Sequence, residues 1–222
     1  MITALLPMKL NSERVPNKNF KLIEGKPLFA WMLTTLCDLD FVDKVIINTD
    51  ASLDLFGKYL ENSKITVRQR KSDLRGDLIS MNKIIEDDVL SDDSDVYLMT
   101  HTTNPLISKA TFTKALKTFT ERNSSDYDSL FTATKFQGRF YYEDNVAINH
   151  NPKELLRTQD LPSVYLENSC MYIFDREIFL ETKTRIGKKP IIFETPQLES
   201  IDIDTEDDWL LASLLLSRRE ID

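Results

Sequence analysis

Two kinds of apolar pattern alternate along the first half of this chain, and that alternation constrains its fold more than any single motif does. Short continuous apolar runs at Ile2 to Leu6, Lys44 to Asn48, Ile65 to Arg68 and Asp95 to Thr100 predict buried strands. Between them, apolar residues recur at helical spacing. Phe29, Trp31, Met32, Leu33 and Leu36 do so within Leu28 to Leu39, Leu78, Met81, Ile84, Ile85 and Val89 within Asp77 to Leu90, and Ala110, Phe112, Ala115, Leu116 and Phe119 within Ser108 to Glu121. Strands alternating with helices close as parallel crossovers. The order therefore predicts an α/β fold with a Rossmann-like, mostly parallel sheet and helices on both faces. With 222 residues and no internal repeat, a single domain over 1–222 is expected.

The alternation loosens after Phe131. From Lys135 to Val164 the chain is polar, carries Gly138, Pro152 and Pro162, and keeps short aromatic pieces at Phe136 and Phe140 to Tyr142. Apolar patterning resumes at Cys170 to Phe174. A structureless loop of that length is rare inside a compact domain, so about 135–164 is expected to be a projecting arm with its own short strands or helix. Aromatics left in water on such an arm would make a large apolar patch, which predicts that a partner subunit covers them in a homodimer.

Composition narrows the partners. A net charge of −8 argues against a nucleic-acid partner, whose phosphates would meet a repulsive field. Charge interrupts every apolar stretch well short of the ~18 residues a membrane span needs, and Ile2 to Pro7 has no basic leader, so no membrane association and a cytoplasmic location are expected. Cys37 and Cys170 lack metal-ligand spacing and read as buried thiols.

Positive charge gathers in one place. Residues 1–27 hold Lys9, Arg14, Lys18, Lys21 and Lys26 against Glu13 and Glu24. Much of this lies in the loop Met8 to Asn19, which leaves the C-terminal end of the first strand, where open α/β sheets bind ligands. The loop has no glycine. That excludes the Gly-rich phosphate loop and the dinucleotide fingerprint, both of which need close backbone approach. Phosphates would be held here by side chains, Lys9 and Lys18 with Asn11, Ser12 and Asn19; the alternative is an ordinary polar loop.

A second constellation is SIDIDTEDDW, Ser200 to Trp209. In an extended segment Asp202 and Asp204 share one face while Ile201 and Ile203 turn to the core. Paired carboxylates offer hard oxygens to Mg²⁺, which takes its remaining ligands from water and substrate phosphates. Thr205 and Asp208 form a capping-box pattern, so Glu206 to Asp208 read as the acidic start of a helix rather than as metal ligands.

Together these segments resemble the CMP-sugar synthetases, the cytidylyltransferases that make CMP-sialic acid and related CMP-sugar acids. The resemblance rests on K-x-N-S-x-R-x-P-x-K-N from Lys9, G-K-P-L from Gly25, I-N-T-D from Ile47, T-T-N-P-L from Thr102 and I-D-I-D-T-E-D from Ile201. It implies transfer of CMP from CTP to the anomeric hydroxyl of an acidic sugar, with release of pyrophosphate and Mg²⁺ as cofactor. By the same resemblance Lys18, Asp202 and Asp204 are catalytic, and both aspartates are metal ligands. Lys9, Asn11, Ser12, Asn19, Arg70, Asp77 and Ser80 would bind the nucleotide. His101, Thr103, Arg157, Gln159 and Asn168 would bind the sugar, with Arg157 receiving its carboxylate across the dimer.

This chain also departs from the family pattern. Lys9 and Glu13 stand where arginine and a basic residue are usual, His101 where glutamine is frequent, and Leu166 where sialic-acid enzymes often carry arginine. Two rival readings differ in class. One is a glycosyltransferase using Asp202 to Asp204 as a D-x-D metal motif, although such motifs usually lie mid-chain. The other is a non-catalytic sugar-nucleotide binding protein.

Overall fold

Most of the chain is organised by one seven-stranded sheet in the computed structural model, which describes residues 1–12 and 15–218. Glu13 and Arg14 of the basic loop lie outside the described residues. The chain enters the sheet with β1 (Ile2–Leu5), makes a small hairpin of β2 (Leu22–Ile23) and β3 (Lys26–Pro27), and continues into α1 (Leu28–Cys37). Then come β4 (Lys44–Thr49), β5 (Ile65–Gln69), α2 (Met81–Leu90), β6 (Val96–Met99) and α3 (Lys109–Thr120). The second half supplies β7 (Ser129–Phe136), β8 (Val164–Asp175), α4 (Arg176–Thr182), β9 (Pro190–Glu194) and α5 (Glu206–Leu216).

The order across the sheet is β5-β4-β1-β6-β8-β7-β9. Four of its six pairings are parallel, those among β5, β4, β1 and β6 and that of β7 with β9, while β8 runs against both of its neighbours. Side-chain alternation along the strands produces two cores. Ala4, Val45, Ile47, Leu98 and Ile173 pack toward α1 and α3 on one face. Leu5, Ile46, Tyr97, Met99 and Tyr172 pack toward α2 and α4 on the other. A third cluster joins α5 to the β2–β3 hairpin through Ile23, Leu28, Ile203 and Ala212. The expected sheet with helices on both faces is what these residues form.

Several boundaries move, each for a physical reason. The helix expected from Asp77 begins only at Met81, because Gly76 has a φ of 109° and the hydroxyl of Ser80 caps the helix by accepting from the Asn82 N–H at 3.3 Å. Leu78, counted on the helical face, is fully exposed. Strand β8 starts six residues before Cys170. Its first residues leave the packed sheet with β7, so Tyr165 and Leu166 face water and carry no core pattern. The segment Ile201 to Asp204 is not part of any strand, although Ile203 is fully buried as expected.

The connection between β7 and β8 holds local structure of its own. Tyr142 N–H donates to the Val146 carbonyl at 2.8 Å and Ile148 N–H to that of Phe140 at 2.9 Å, around a turn with Asn145 at φ 66°. A 3₁₀ turn follows at Thr158–Asp160. Among the described residues no helix is long and apolar enough to cross a membrane.

Candidate active site

A cavity of about 410 Å³ opens at the C-terminal ends of β1, β4 and β6. The basic loop, the residues after β5 and the segment after Ile203 all reach it. Lys9, Lys18, Arg70, His101, Thr103 and Asp204 are among its lining residues. Lys18 is set in a 3₁₀ turn, Lys18–Phe20, whose preceding Asn17 adopts a left-handed φ of 52°. Its side chain is only 7% exposed. The ammonium donates to the Ile203 carbonyl and stands 3.3 Å from Asp204 Oδ1. A buried cation needs such partners, and these two tie residues 186 positions apart to one point in the cavity wall.

Asn19, also buried, is a brace. Its amide donates to the Lys9 carbonyl at 2.7 Å and accepts from the Thr102 hydroxyl at 2.5 Å, which joins the loop after β1 to the loop after β6. Lys9 is half-exposed at the cavity rim and forms an ion pair with Asp77. An incoming triphosphate would compete with that carboxylate for the lysine. Asn11 and Ser12 line an adjoining recess of about 230 Å³ with Asp50, whose Oδ1 accepts from the Leu10 N–H at 2.7 Å.

Arg70 is buried and spent on its own chain. Its Nε donates to Asn48 Oδ1 at 2.9 Å, and Nη2 to the carbonyls of Asn48 at 2.8 Å and Met8 at 3.1 Å. Asn48 in turn donates to Asp88 Oδ1 at 2.8 Å, which also accepts from Arg68 Nε at 2.8 Å. Burial pushes the Asp88 carboxyl up to about 6, against the hydrogen bond from Asn48 and the charge of Arg68. A carboxyl raised from its unfolded value favours the fold while protonated, and that contribution is lost as pH rises through about 6. Relative to Asp88→Asn, the wild-type protein should therefore gain stability as pH falls from about 6 to 4, by on the order of 3 kcal/mol in full. Urea melts of both proteins across that range would measure it; parallel curves would remove the assignment.

Asp202 and Asp204 do not open into one space. Asp204 faces the 410 Å³ cavity, and Asp202 a neighbouring one of about 340 Å³ lined also by Glu167, Asn168 and Ser169. The segment that carries them belongs to no strand, so strict strand alternation does not govern it. Burial raises the Asp202 carboxyl from its ordinary value, opposed by the hydroxyl of Thr103 and reinforced by the charge of Asp204. One of its oxygens, Oδ1, is buried without a hydrogen-bond partner. An orphaned carboxylate oxygen beside a second carboxylate fits a hard cation such as Mg²⁺. Among the described residues no three acidic, histidine or cysteine side chains gather, so an ion here would leave positions for phosphate oxygens and water.

The capping box is present. Thr205 Oγ1 accepts from the Asp208 N–H at 3.2 Å and Asp208 Oδ2 from the Thr205 N–H at 2.8 Å, so Asp208 is engaged in starting α5.

Other expected contacts lie elsewhere. The Ser80 hydroxyl caps α2 and is absent from the cavity lining. Asn168 lines the second cavity, but its amide donates to Thr134 at 3.0 Å and Thr195 at 2.6 Å, so it holds strands together. Arg157 is exposed on the arm and forms a two-pronged pair with Asp160 at 2.7 and 3.1 Å. It and the exposed Gln159 line none of these cavities. Sequence reasoning missed Arg185, which reaches His101 from the segment before β9, and the chain from Asp88 through Asn48 to Arg70. Nothing in the pattern separates Arg185 from its exposed neighbours Lys188 and Lys189.

The sequence profile of the cytidylyltransferase family matches residues 3–206, so it takes in both the basic loop and the two aspartates. The chain belongs to the cytidylyltransferase family. Its relatives include the N-acylneuraminate cytidylyltransferase of Streptococcus agalactiae serotype V, 24% identical over 217 residues that cover 93% of this chain and 51% of that protein. The pseudaminic acid cytidylyltransferase of Campylobacter jejuni serotype O:2 is 25% identical, over 95% of this chain and 94% of its own length. This cytidylyltransferase chain thus spans about half the length of the first of these relatives and nearly all of the second. The fold is shared with a solved CMP:2-keto-3-deoxy-manno-octonic acid synthetase in complex with CTP, with a TM-score of 0.67, 12% identity and 98% of each chain covered.

Proposed function

We propose that this protein transfers CMP from CTP to the anomeric hydroxyl of an acidic sugar of the sialic or pseudaminic type and releases pyrophosphate. The observation that carries the reading is the Lys18–Asp204 pair. A buried ammonium and a carboxylate at 3.3 Å meet in a cavity with two further cations, Lys9 and Arg70, on its wall. Such a site offers charge to a triphosphate from side chains, as a glycine-free loop requires.

In the reaction the sugar hydroxyl oxygen forms a bond to the α-phosphorus, and the bond from that phosphorus to the bridging oxygen of the β-phosphate breaks. Lys18 holds a fixed positive charge beside the phosphates, with no reorganisation needed because its partners already orient it. Lys9 exchanges Asp77 for phosphate oxygen at the rim. Asp202 accepts the proton of the attacking hydroxyl, a task suited to a carboxyl raised from its ordinary value. Asp204 would hold Mg²⁺, which when bound neutralises charge on the phosphate oxygens.

The test is pyrophosphate release with CTP and a panel of sugar acids that includes N-acetylneuraminate and pseudaminate. Turnover with CTP and one of them is expected. Activity only with a sugar nucleotide and a glycosyl acceptor would favour a D-x-D glycosyltransferase, and CTP binding without turnover a non-catalytic protein.

We also infer a homodimer built through the arm. Phe136 and Phe140 cover one another, with ring centroids 6.1 Å apart, but Tyr141, Tyr142, Leu155 and Leu156 are exposed in the single chain. A two-fold partner would bury them and bring Arg157 toward the second active site. Mixing Asp204→Asn with Arg157→Ala should then restore activity in the mixed dimer, to as much as about a quarter of wild type if half the pairs are mixed and one of two sites is intact. Sedimentation as a monomer at micromolar concentration, or no recovery on mixing, would reject the shared site.

A further inference from the structure

We propose that Arg185 is a positioning residue for the acceptor: it fixes His101 as the neutral tautomer that carries its proton on Nδ1, and this N–H meets a carboxylate oxygen of the acidic sugar. The proposal rests on the function inferred above and names the part of the site that would select an acid. Its geometric basis is a single contact with only one chemical solution. Arg185 Nη1 stands 3.3 Å from His101 Nε2. A guanidinium can only donate, so Nε2 must accept, and a ring that accepts at Nε2 is neutral with its proton on Nδ1. Free neutral imidazole prefers the opposite arrangement.

Arg185 is itself held from several sides. Its Nη2 donates to the Tyr172 hydroxyl at 2.8 Å, and its guanidinium lies 3.8 Å from the centroid of that ring. Glu167 approaches to 3.6 Å, and the Asn82 side chain accepts from the Arg185 backbone N–H at 3.3 Å. Two residues on, Gly187 passes so close to Asp128 that an added Cβ would lie 2.3 Å from Oδ1, while Lys188 and Lys189 donate backbone N–H groups to the same carboxylate at 2.8 and 3.0 Å. The segment carrying Arg185 is thereby pinned. Packing and charge agree with the tautomer, since burial and the positive charges of Arg185 and Lys18 all oppose protonation of His101.

The position assigns the ligand. His101 follows β6 and lines the 410 Å³ cavity, whereas Glu167, a second partner of Arg185, lines the 340 Å³ cavity that also holds Asp202. Arg185 therefore touches one residue of the space assigned to the phosphates and one of the space beside the candidate base. A sugar that is deprotonated at Asp202 and attacks the phosphorus spans these two spaces. An N–H donor backed by a guanidinium favours an anionic oxygen, and the acceptor's anion is its carboxylate.

The chain has two histidines, His101 and His150, so ¹⁵N spectra of the imidazole rings are simple to assign with His101→Gln. In the wild-type protein at pH 7, His101 should give the Nδ1–H pattern. In Arg185→Met it should revert to the Nε2–H form or become protonated. With whichever of N-acetylneuraminate or pseudaminate supports turnover, Arg185→Met should raise KM for the acid at least tenfold and narrow the preference for the acid over its methyl ester. KM for CTP should stay within twofold. An Nε2–H or charged His101 in the wild-type protein would overturn the proposal whether or not the variant folds. So would an unchanged tautomer in the variant, or an effect confined to CTP. Absence of turnover with every acid would instead reject the function and with it the carboxylate assignment, leaving the tautomer to the spectrum alone.

Discussion

Replacing Asp204 by asparagine is expected to abolish CTP-dependent pyrophosphate release, by on the order of a thousandfold or more, about 4 kcal/mol of transition-state stabilisation. Asparagine keeps the shape of the side chain and loses the charge that would hold a divalent cation against phosphate. The fold should survive. Asp204 is partly exposed, and its backbone N–H still donates to Asp208 Oδ2 at 3.1 Å in front of α5. Lys18 also retains the Ile203 carbonyl. Asp202→Asn should impair turnover strongly for a different reason, loss of the proton acceptor, and its carboxyl shares no cavity lining with Lys18. Steady-state assays paired with circular dichroism separate loss of chemistry from loss of structure. Wild-type turnover in Asp204→Asn would end the metal assignment.

Lys18→Ala should lower CTP turnover more than tenfold, at least about 1.4 kcal/mol, with kcat falling along with kcat/KM. The ammonium is almost wholly shielded from solvent, so its charge is little screened by salt and water. Its removal leaves the Ile203 carbonyl without that donor and Asp204 without its nearest cation. Some loss of stability is therefore expected as well, and Lys18→Arg provides the control: it restores the charge in a larger, planar form. Unchanged kinetics in Lys18→Ala would return the Met8 to Asn19 loop to an ordinary polar connection.

The fold was legible where burial is periodic. Ala4, Val45, Ile47 and Leu98 on one face, and Leu5, Ile46, Tyr97 and Met99 on the other, alternate as buried strands must, and α1 and α3 follow from their apolar stripes. Legibility failed where residues serve the cavity instead of the core. Leu78 fits a helical stripe, yet Gly76 and the Ser80 cap hold the chain before it in a loop that lines the site. The first residues of β8 pair with β7 alone, beyond the reach of β6, so no burial pattern marks them.

The site was partly legible for a related reason. Lys18, Asn19 and Asp204 lie in short segments whose composition is unusual for their position, and those segments meet. Arg70 was found without its supports, because Asn48 and Asp88 look like ordinary strand and helix residues until the fold stacks them. The even alternation expected of Asp202 and Asp204 assumed a strand, but that segment belongs to none, and each carboxylate lines its own cavity. Asn168, expected to bind the sugar, lines the second cavity with its amide occupied by threonines.

Strand β8 is the one member of the sheet that runs backwards. Because β7 points the same way as β1, the chain leaves β7 at the rim where the phosphate-side loops stand and re-enters through β8 at that same rim. Had β8 been parallel, the connection would have crossed to the far end of the strands before returning. The reversal therefore fixes the address of the arm: residues 137–163 stand on the same rim of the sheet as the cleft, so anything that grips them binds on the ligand side of the molecule.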